Sequence, residues 1–341
     1  MKRRDMIRKT ALGAASLGLG VFTINAKEQV TIPQAPLPRN CEMVYRNLGN
    51  TGIKVSLLGF GSHLSTENLK DEKRRDRQIK EGFDNGINIF DIYDHSVFHQ
   101  FKPMAKSLAG KRQNVVISLV SVQKESTRAE VEGALRTFNT DYIDLYRIVY
   151  RDADNYSKPD SDLELLLKMK DEGKIRAVGV VSHDESGVLY AAEHYPINYI
   201  MMPINFHHNK AWAADKPDTY NDVLKICREK KIGVLGIKPM GGDPMVAYAQ
   251  YLGYFSQEYR GPSYPKAALR YLWRNEDISS VLPSINTVGE LWDDLDALWL
   301  PEFTKEDSDV LKKLSKKADK TLGAYLPPHY KWMENWRIRE T

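Results

Sequence analysis

Cysteine is scarce: Cys41 and Cys227 are the only two in 341 residues. Two thiols cannot build a disulfide framework, a four-thiolate zinc site or an iron–sulfur cluster, so they read as unpaired thiols. Beyond the N-terminus no apolar run approaches the roughly 20 residues that a membrane-spanning helix needs, so none is expected there. Neither sign of charge dominates, since 49 Lys and Arg stand against 45 Asp and Glu, for a net charge of +4. No basic stripe interleaved with aromatics is present, which leaves nucleic acid off the list of expected partners. No glycine-rich fingerprint follows the first strand-like segment, which disfavours a doubly wound dinucleotide-binding sheet. What is there is ordinary for a soluble chain with a sizeable core: 42% hydrophobic and 28% charged residues.

Residues 1–26 read as an export signal. "MKRRDMIRKT" is basic and holds Arg3-Arg4, a run of small apolar residues occupies 11–24, and Asn25-Ala26 leads into Lys27-Glu28. This is the three-part plan of a secretory signal, and it resembles a twin-arginine signal, with Met6 and Ile7 where Phe and Leu are usual. The expectation is export to the periplasm by the twin-arginine machinery, which carries folded proteins. Residues 27–42, with three prolines in "TIPQAPLPRN", read as an extended linker. Residues 43–341 then form one domain.

Within that domain, Asn50-Thr51-Gly52 between two β-prone runs predicts a hairpin. Strand-like and helix-like segments alternate after it. Strands are expected at 56–60, 88–91, 114–119, 143–148, 176–181, 199–203, 233–237 and 279–282. Helices are expected at 127–138, 160–172, 222–229 and 266–275, among others. Eight strands, each followed by a helix, specify a (β/α)8 TIM barrel with an N-terminal hairpin. An extra amphipathic helix is expected at 302–317. The segment 243–264 has the length of a lid. Trp212, Tyr251, Tyr254, Phe255 and Tyr259 read either as core or lid packing or as a stacking wall for a sugar ring.

Several runs carry a family resemblance. "YRNLGNTGIKVSLLGFGS", "GINIFD", "TDYIDLYRIVYRD", "DEGKIRAVGVVSHDE", "PINYIMMPINF", "KKIGVLGIKPMGGD" and "DISSVLPSINTVGELWDDL" resemble, in order and spacing, the hairpin and successive barrel strands of the aldo-keto reductase superfamily. The resemblance implies an NADP-linked oxidoreductase that uses Asp, Tyr, Lys and His. An alkoxide that forms on hydride attack is protonated by a Tyr acidified by Lys and oriented by His. Asp91 matches the Asp. Ser96, Val120 and Val149 stand at the other three positions, and valine cannot transfer a proton. Standard NADPH-dependent carbonyl reduction is therefore not expected.

On the cofactor side, the resemblance points to Gly61, Ser182, Asn205, Lys238, Pro239, Met240, Gly241 and Ser284 as binding residues for NADP. Glycines after barrel strands are also ordinary turn residues. Asp294 stands where an Asn often contacts adenine. His63, His95, His99, His183, His207 and His208 all follow strand-like segments, on the active face of such a barrel. Asp91, His95 and His183 are the candidate catalytic residues. Three functions stay open. The first is an oxidoreductase with substituted acids acting on a small molecule. The second is a non-redox acid–base or metal-assisted enzyme on a sugar-like substrate. The third is a catalytically dead binding protein. Without its lysine, Asp91 should find another cation, with Lys238, His95 and His99 as candidates, or carry a raised pKa. Tyr93 and Tyr150 are candidates for a recruited acid.

Overall fold

The computed structural model describes residues 42–61, 71–92, 101–121, 126–150, 159–182, 185–206, 222–241, 263–299 and 301–321. The expected signal and linker before residue 42, most of the expected lid and the C-terminal tail lie outside these. The hairpin forms where Asn50-Thr51-Gly52 predicts it: β1 (Tyr45–Asn47) pairs antiparallel with β2 (Lys54–Ser56). Its turn is closed by the Thr51 hydroxyl on Leu48 O at 2.7 Å and by Leu48 N–H on Ile53 O at 2.8 Å. Asn50 N–H reaches Lys231 O at 3.0 Å. Leu48, Ile53 and Val55 thereby become part of the apolar filling of the barrel, at its base.

Seven parallel strands follow in sequential order: β3 (Ile89–Ile92), β4 (Val116–Val120), β5 (Ile143–Val149), β6 (Ile175–Val181), β7 (Tyr199–Pro203), β8 (Gly233–Ile237) and β9 (Ile278–Leu282). The eighth stave differs from the continuous strand expected at 56–60. Its ladder ends at Ser56, and single bridges at Leu58–Val281, Phe60–Phe90 and Gly61–Ser284 seat residues 57–61 between β9 and β3. Glycine makes that close seam possible. A Cβ at Gly61 would stand 2.4 Å from Pro283 O, and one at Gly59 2.8 Å from Leu282 Cγ. Pro283 also has no N–H to extend a regular ladder.

Helices cover the outside: α1 (Glu72–Asp84), α2 (Phe101–Ser107), α3 (Thr127–Phe138), α4 (Pro159–Asp171), α5 (Glu185–His194), α6 (Asp222–Lys230), α7 (Tyr264–Trp273), α8 (Val288–Trp299) and α9 (Lys305–Thr321). Two apolar layers result. The larger fills the space between strands and helices, and the smaller fills the barrel itself. Strand β5 shows the alternation that separates them: Tyr146 and Ile148 join the outer layer, Leu145 and Val149 the inner one. The extra C-terminal helix starts at Lys305, later than the expected 302. Thr304 caps it, since its hydroxyl accepts from Asp307 N–H at 3.1 Å while Asp307 Oδ2 accepts from Thr304 N–H at 3.0 Å. Among the described residues no helix is long and apolar enough to cross a membrane.

Candidate active site at the barrel mouth

Asp91 lies one residue from the C-terminal end of β3, the end at which barrel enzymes build their sites. Among the described residues its cation is Arg147, from the middle of β5, a source the sequence did not suggest; His95 and His99 lie outside the described residues. The guanidinium grips the carboxylate at two points, Nη1 to Oδ1 at 2.7 Å and Nη2 to Oδ2 at 3.1 Å. Nη1 also donates to Ser118 Oγ at 3.0 Å and to Leu119 O at 3.2 Å. Ser118 in turn donates to Asp91 Oδ1 at 2.7 Å. The side chain of Arg147 is 2% exposed and that of Asp91 10%, so the carboxylate is the more accessible end of the pair.

Burial is the largest single influence on Arg147 and works against its charge, but Asp91 and Tyr199 together outweigh it and lift the guanidinium pKa above its usual value. Among the described residues Arg147 Nε has no hydrogen-bond partner, and the hydroxyl of Tyr199 lies beside Arg147 and Ser118 without a well-formed hydrogen bond to either. The Tyr199 phenol is held protonated, chiefly by burial and against the opposing pull of Arg147. Its ring lies against Gly179, where a Cβ would come within 2.6 Å of it. Acid, cation and phenol thus come together inside the barrel, but the phenol is fully buried and cannot reach a substrate.

Above this floor the inner wall is apolar. Val149, Val181 and Met201 are register partners on β5, β6 and β7, and Val120 ends β4 beside Arg147. Val120 is buried and Val149 half-buried, both packed in the inner apolar layer. Tyr150 turns the other way. Its hydroxyl donates to Asp160 at 2.5 Å and its ring stacks on Tyr190 in the outer layer, so it is not available as a recruited acid.

The residues that the resemblance assigns to a cofactor fall at the ends of several staves. Asn205 follows β7 and donates through Nδ2 to Lys238 O at 3.3 Å. Lys238 follows β8 with φ +52° and opens a turn through Pro239 and Met240, closed by Gly241 N–H on Lys238 O at 2.9 Å. Gly241 has φ +81°, which explains a glycine there. Ser182, buried after β6, donates its N–H to Met201 O at 3.3 Å. Gly61 and the exposed Ser284 are bridge partners across the seam. Asp294 is buried in α8, where burial first, and the neighbouring Asp293 and Glu290 next, push its pKa well up.

Tyr93, His95, Ser96, His99 and His183 lie outside the described residues, as do His63, His207, His208 and the aromatics at 212, 251, 254, 255 and 259. Among the described residues no group of histidines, cysteines and carboxylates could hold a metal ion. The residue that sequence reasoning missed is Arg147. A second charged residue, after Asp144, in a strand whose two faces are both buried is the signal that could have found it.

Comparison with known proteins agrees with the architecture. A family model described as "Aldo/keto reductase family" matches residues 57–316. L-galactose dehydrogenase of Arabidopsis thaliana is 23% identical over 300 residues, covering 79% of this chain and 92% of that protein. Aldo-keto reductase YhdN of Bacillus subtilis (strain 168) is 28% identical over 211 residues, which span 57% of this chain and only 61% of that relative. Among solved structures, the holo form of aldo-keto reductase AKR11C1 from Bacillus halodurans superposes with a TM-score of 0.62 at 22% identity, covering 80% of this chain and 96% of that one. At that identity the likeness speaks to the fold.

Proposed function

Because the chain belongs to the aldo/keto reductase family, we propose that it is an oxidoreductase acting on a small molecule with a nicotinamide dinucleotide, and that its acid–base residues are not the family's usual ones. The match over residues 57–316 carries this reading. The described donors fit the phosphate end of such a cofactor. Lys238, the exposed Ser284 hydroxyl and the tight turn through Gly241 follow neighbouring strands. NADP is the cofactor that the family suggests; bound at the mouth, it would supply a hydride.

At the reacting end the fit is different. Val120 and Val149 stand where the resemblance puts Lys and His, and neither can hold or move a proton. Asp91 is the ionisable group of the described floor that approaches the mouth, and Arg147 already neutralises it. The protein's own contribution there is an apolar wall that excludes water and one oriented carboxylate. Residues 1–26 serve, in this reading, to export the folded protein to the periplasm.

The test is titration of protein starting at residue 27 with NADPH and NADH, followed by nicotinamide fluorescence and by native mass spectrometry of the untreated sample. Saturable binding is expected, with turnover of simple aldehydes at least about 10²-fold below that of an enzyme with an intact proton donor. If neither nucleotide binds or co-purifies, the oxidoreductase reading is wrong.

A further inference from the structure

Asp91 has acceptor capacity that no described residue uses. An ionised carboxylate offers about four lone-pair sites. Oδ1 takes hydrogen bonds from Ser118 and from Arg147 Nη1, while Oδ2 takes a single, longer one from Arg147 Nη2 at 3.1 Å. Asp91 is also the more exposed member of the pair and sits near the mouth end of its strand. The wall that continues towards the mouth is Val149, Val181 and Met201, beside Val120. One under-used carboxylate oxygen beneath an apolar wall is a specific recognition element.

We propose that Asp91 contacts the ligand directly, and that the mouth selects molecules with an apolar body and a hydrogen-bond donor at the tip, a hydroxyl or a cationic N–H. Arg147 is the positioning residue: it fixes both oxygens in the plane of its guanidinium and keeps the carboxylate an acceptor. A ligand whose tip can only accept would face Oδ2 with no proton between two oxygens. A site built around a hydrogen bond rejects such an analogue strongly, because its buried polar group is left unpaired. The inference rests on the mouth as the binding site, as in the proposed function, but it needs no cofactor.

The experiment uses benzyl alcohol and benzylammonium as donor-tipped probes and anisole as the acceptor-only probe. Binding to the protein starting at residue 27 is followed by ligand-observed NMR. In the native sequence the two donor probes are expected to bind at least about tenfold more tightly than anisole. Asp91→Asn keeps an oxygen for Arg147 Nη1 and Ser118, gives up the bond from Arg147 Nη2 and puts a donor N–H₂ in place of Oδ2, so the preference should invert in favour of anisole. Arg147→Lys should retain the native preference and Arg147→Met should lose it, a split that a merely structural role would not give. Should single variants fail to fold, the double variant Asp91→Asn/Arg147→Met removes both buried charges together and is expected to fold and to show no donor preference.

Equal binding of anisole and benzyl alcohol to the native protein, or an unchanged preference in Asp91→Asn or in the double variant, overturns the proposal. None of the probes carries a nicotinamide. Donor selectivity without nucleotide binding would therefore refute the oxidoreductase reading and leave this one standing.

Discussion

At the scale of single residues, the informative positions are buried charges, and they divide into paired and unpaired. Arg147 is paired with Asp91 through two hydrogen bonds. In "TDYIDLYRIVYRD" the departure from the family pattern is the valine at 149, whereas the cation two residues earlier makes the difference inside the barrel. The need for a cation was legible from Asp91 alone; its source was not, because strand register decides which side chain crosses the barrel. Asp294 has no ion-pair partner among the described residues. Its neighbours on α8 are Asp293 and Glu290, and the nearby Lys266 of α7 is engaged by Asp293 and Asp296. Burial raises its folded-state pKa, while in the unfolded chain it titrates at the ordinary value of about 3.9. Below that value both states hold the proton and pH has no effect through this group. As pH rises above it, the unfolded chain releases its proton first, and stability falls until the folded value is passed. Asp294→Asn removes this titration. The variant should match the native protein at pH 4 and exceed it at pH 7 by on the order of 1 kcal/mol, read from urea midpoints at the two pH values. A native protein whose stability does not fall relative to the variant over that interval would show Asp294 to be ionised when folded.

At the scale of elements, the regular periodic segments were the legible ones. β7 and β8 fall on the expected 199–203 and 233–237, and α3 on 127–138. Their runs are bounded by clear signals, such as Ser126, whose side chain caps α3, and Asn139, which ends it in the left-handed region at φ +46°. The start of α9 was displaced because amphipathicity alone does not mark a cap, and the Thr304–Asp307 box does. Asp307 performs a second task. Both of its oxygens accept from Arg270 Nη1 of α7, at 3.2 and 3.3 Å, and its side chain is fully buried. Asp307→Ala therefore removes a cap and leaves a buried guanidinium without its anion. The expected cost is about 3–5 kcal/mol, visible as a lowered urea midpoint. Thr304→Ala, which loses only the cap, should cost about 1 kcal/mol. Equal losses for the two would show that the ion pair with Arg270 contributes little to docking α9.

At the scale of the whole molecule, the barrel's closure depends on its least regular stave. The eight-stave plan was readable from the alternation of segments, but the stave at 57–61 is held by isolated bridges rather than by a ladder. Its hydrogen bonds tie both sides of the seam: Gly59 N–H to Val281 O, Phe60 N–H to Ile89 O, Asp91 N–H to Phe60 O and Gly61 N–H to Pro283 O, all at 2.8–2.9 Å. The third of these places the backbone of Asp91, so closure and site geometry are one problem. Glycine at 61 reads from sequence either as a phosphate-approach residue or as a turn. In the fold it has a further reason, since a methyl group there would press on the Pro283 carbonyl at 2.4 Å, a backbone atom that cannot rotate away. Gly61→Ala should then strain the seam by about 1–3 kcal/mol. Because the opening is local, amide hydrogen exchange is the measurement that resolves it. Protection should fall by about 10- to 100-fold at Phe60, Gly61 and Asp91 and stay unchanged along β5 to β7. Gly133→Ala, in α3 with only a long Arg136 side chain at 3.8 Å, is the control and should leave the seam untouched. Loss of protection spread evenly over all staves in Gly61→Ala would mean that the barrel opens as a unit, and that the bridges at 58, 60 and 61 are no weaker than the ladders beside them.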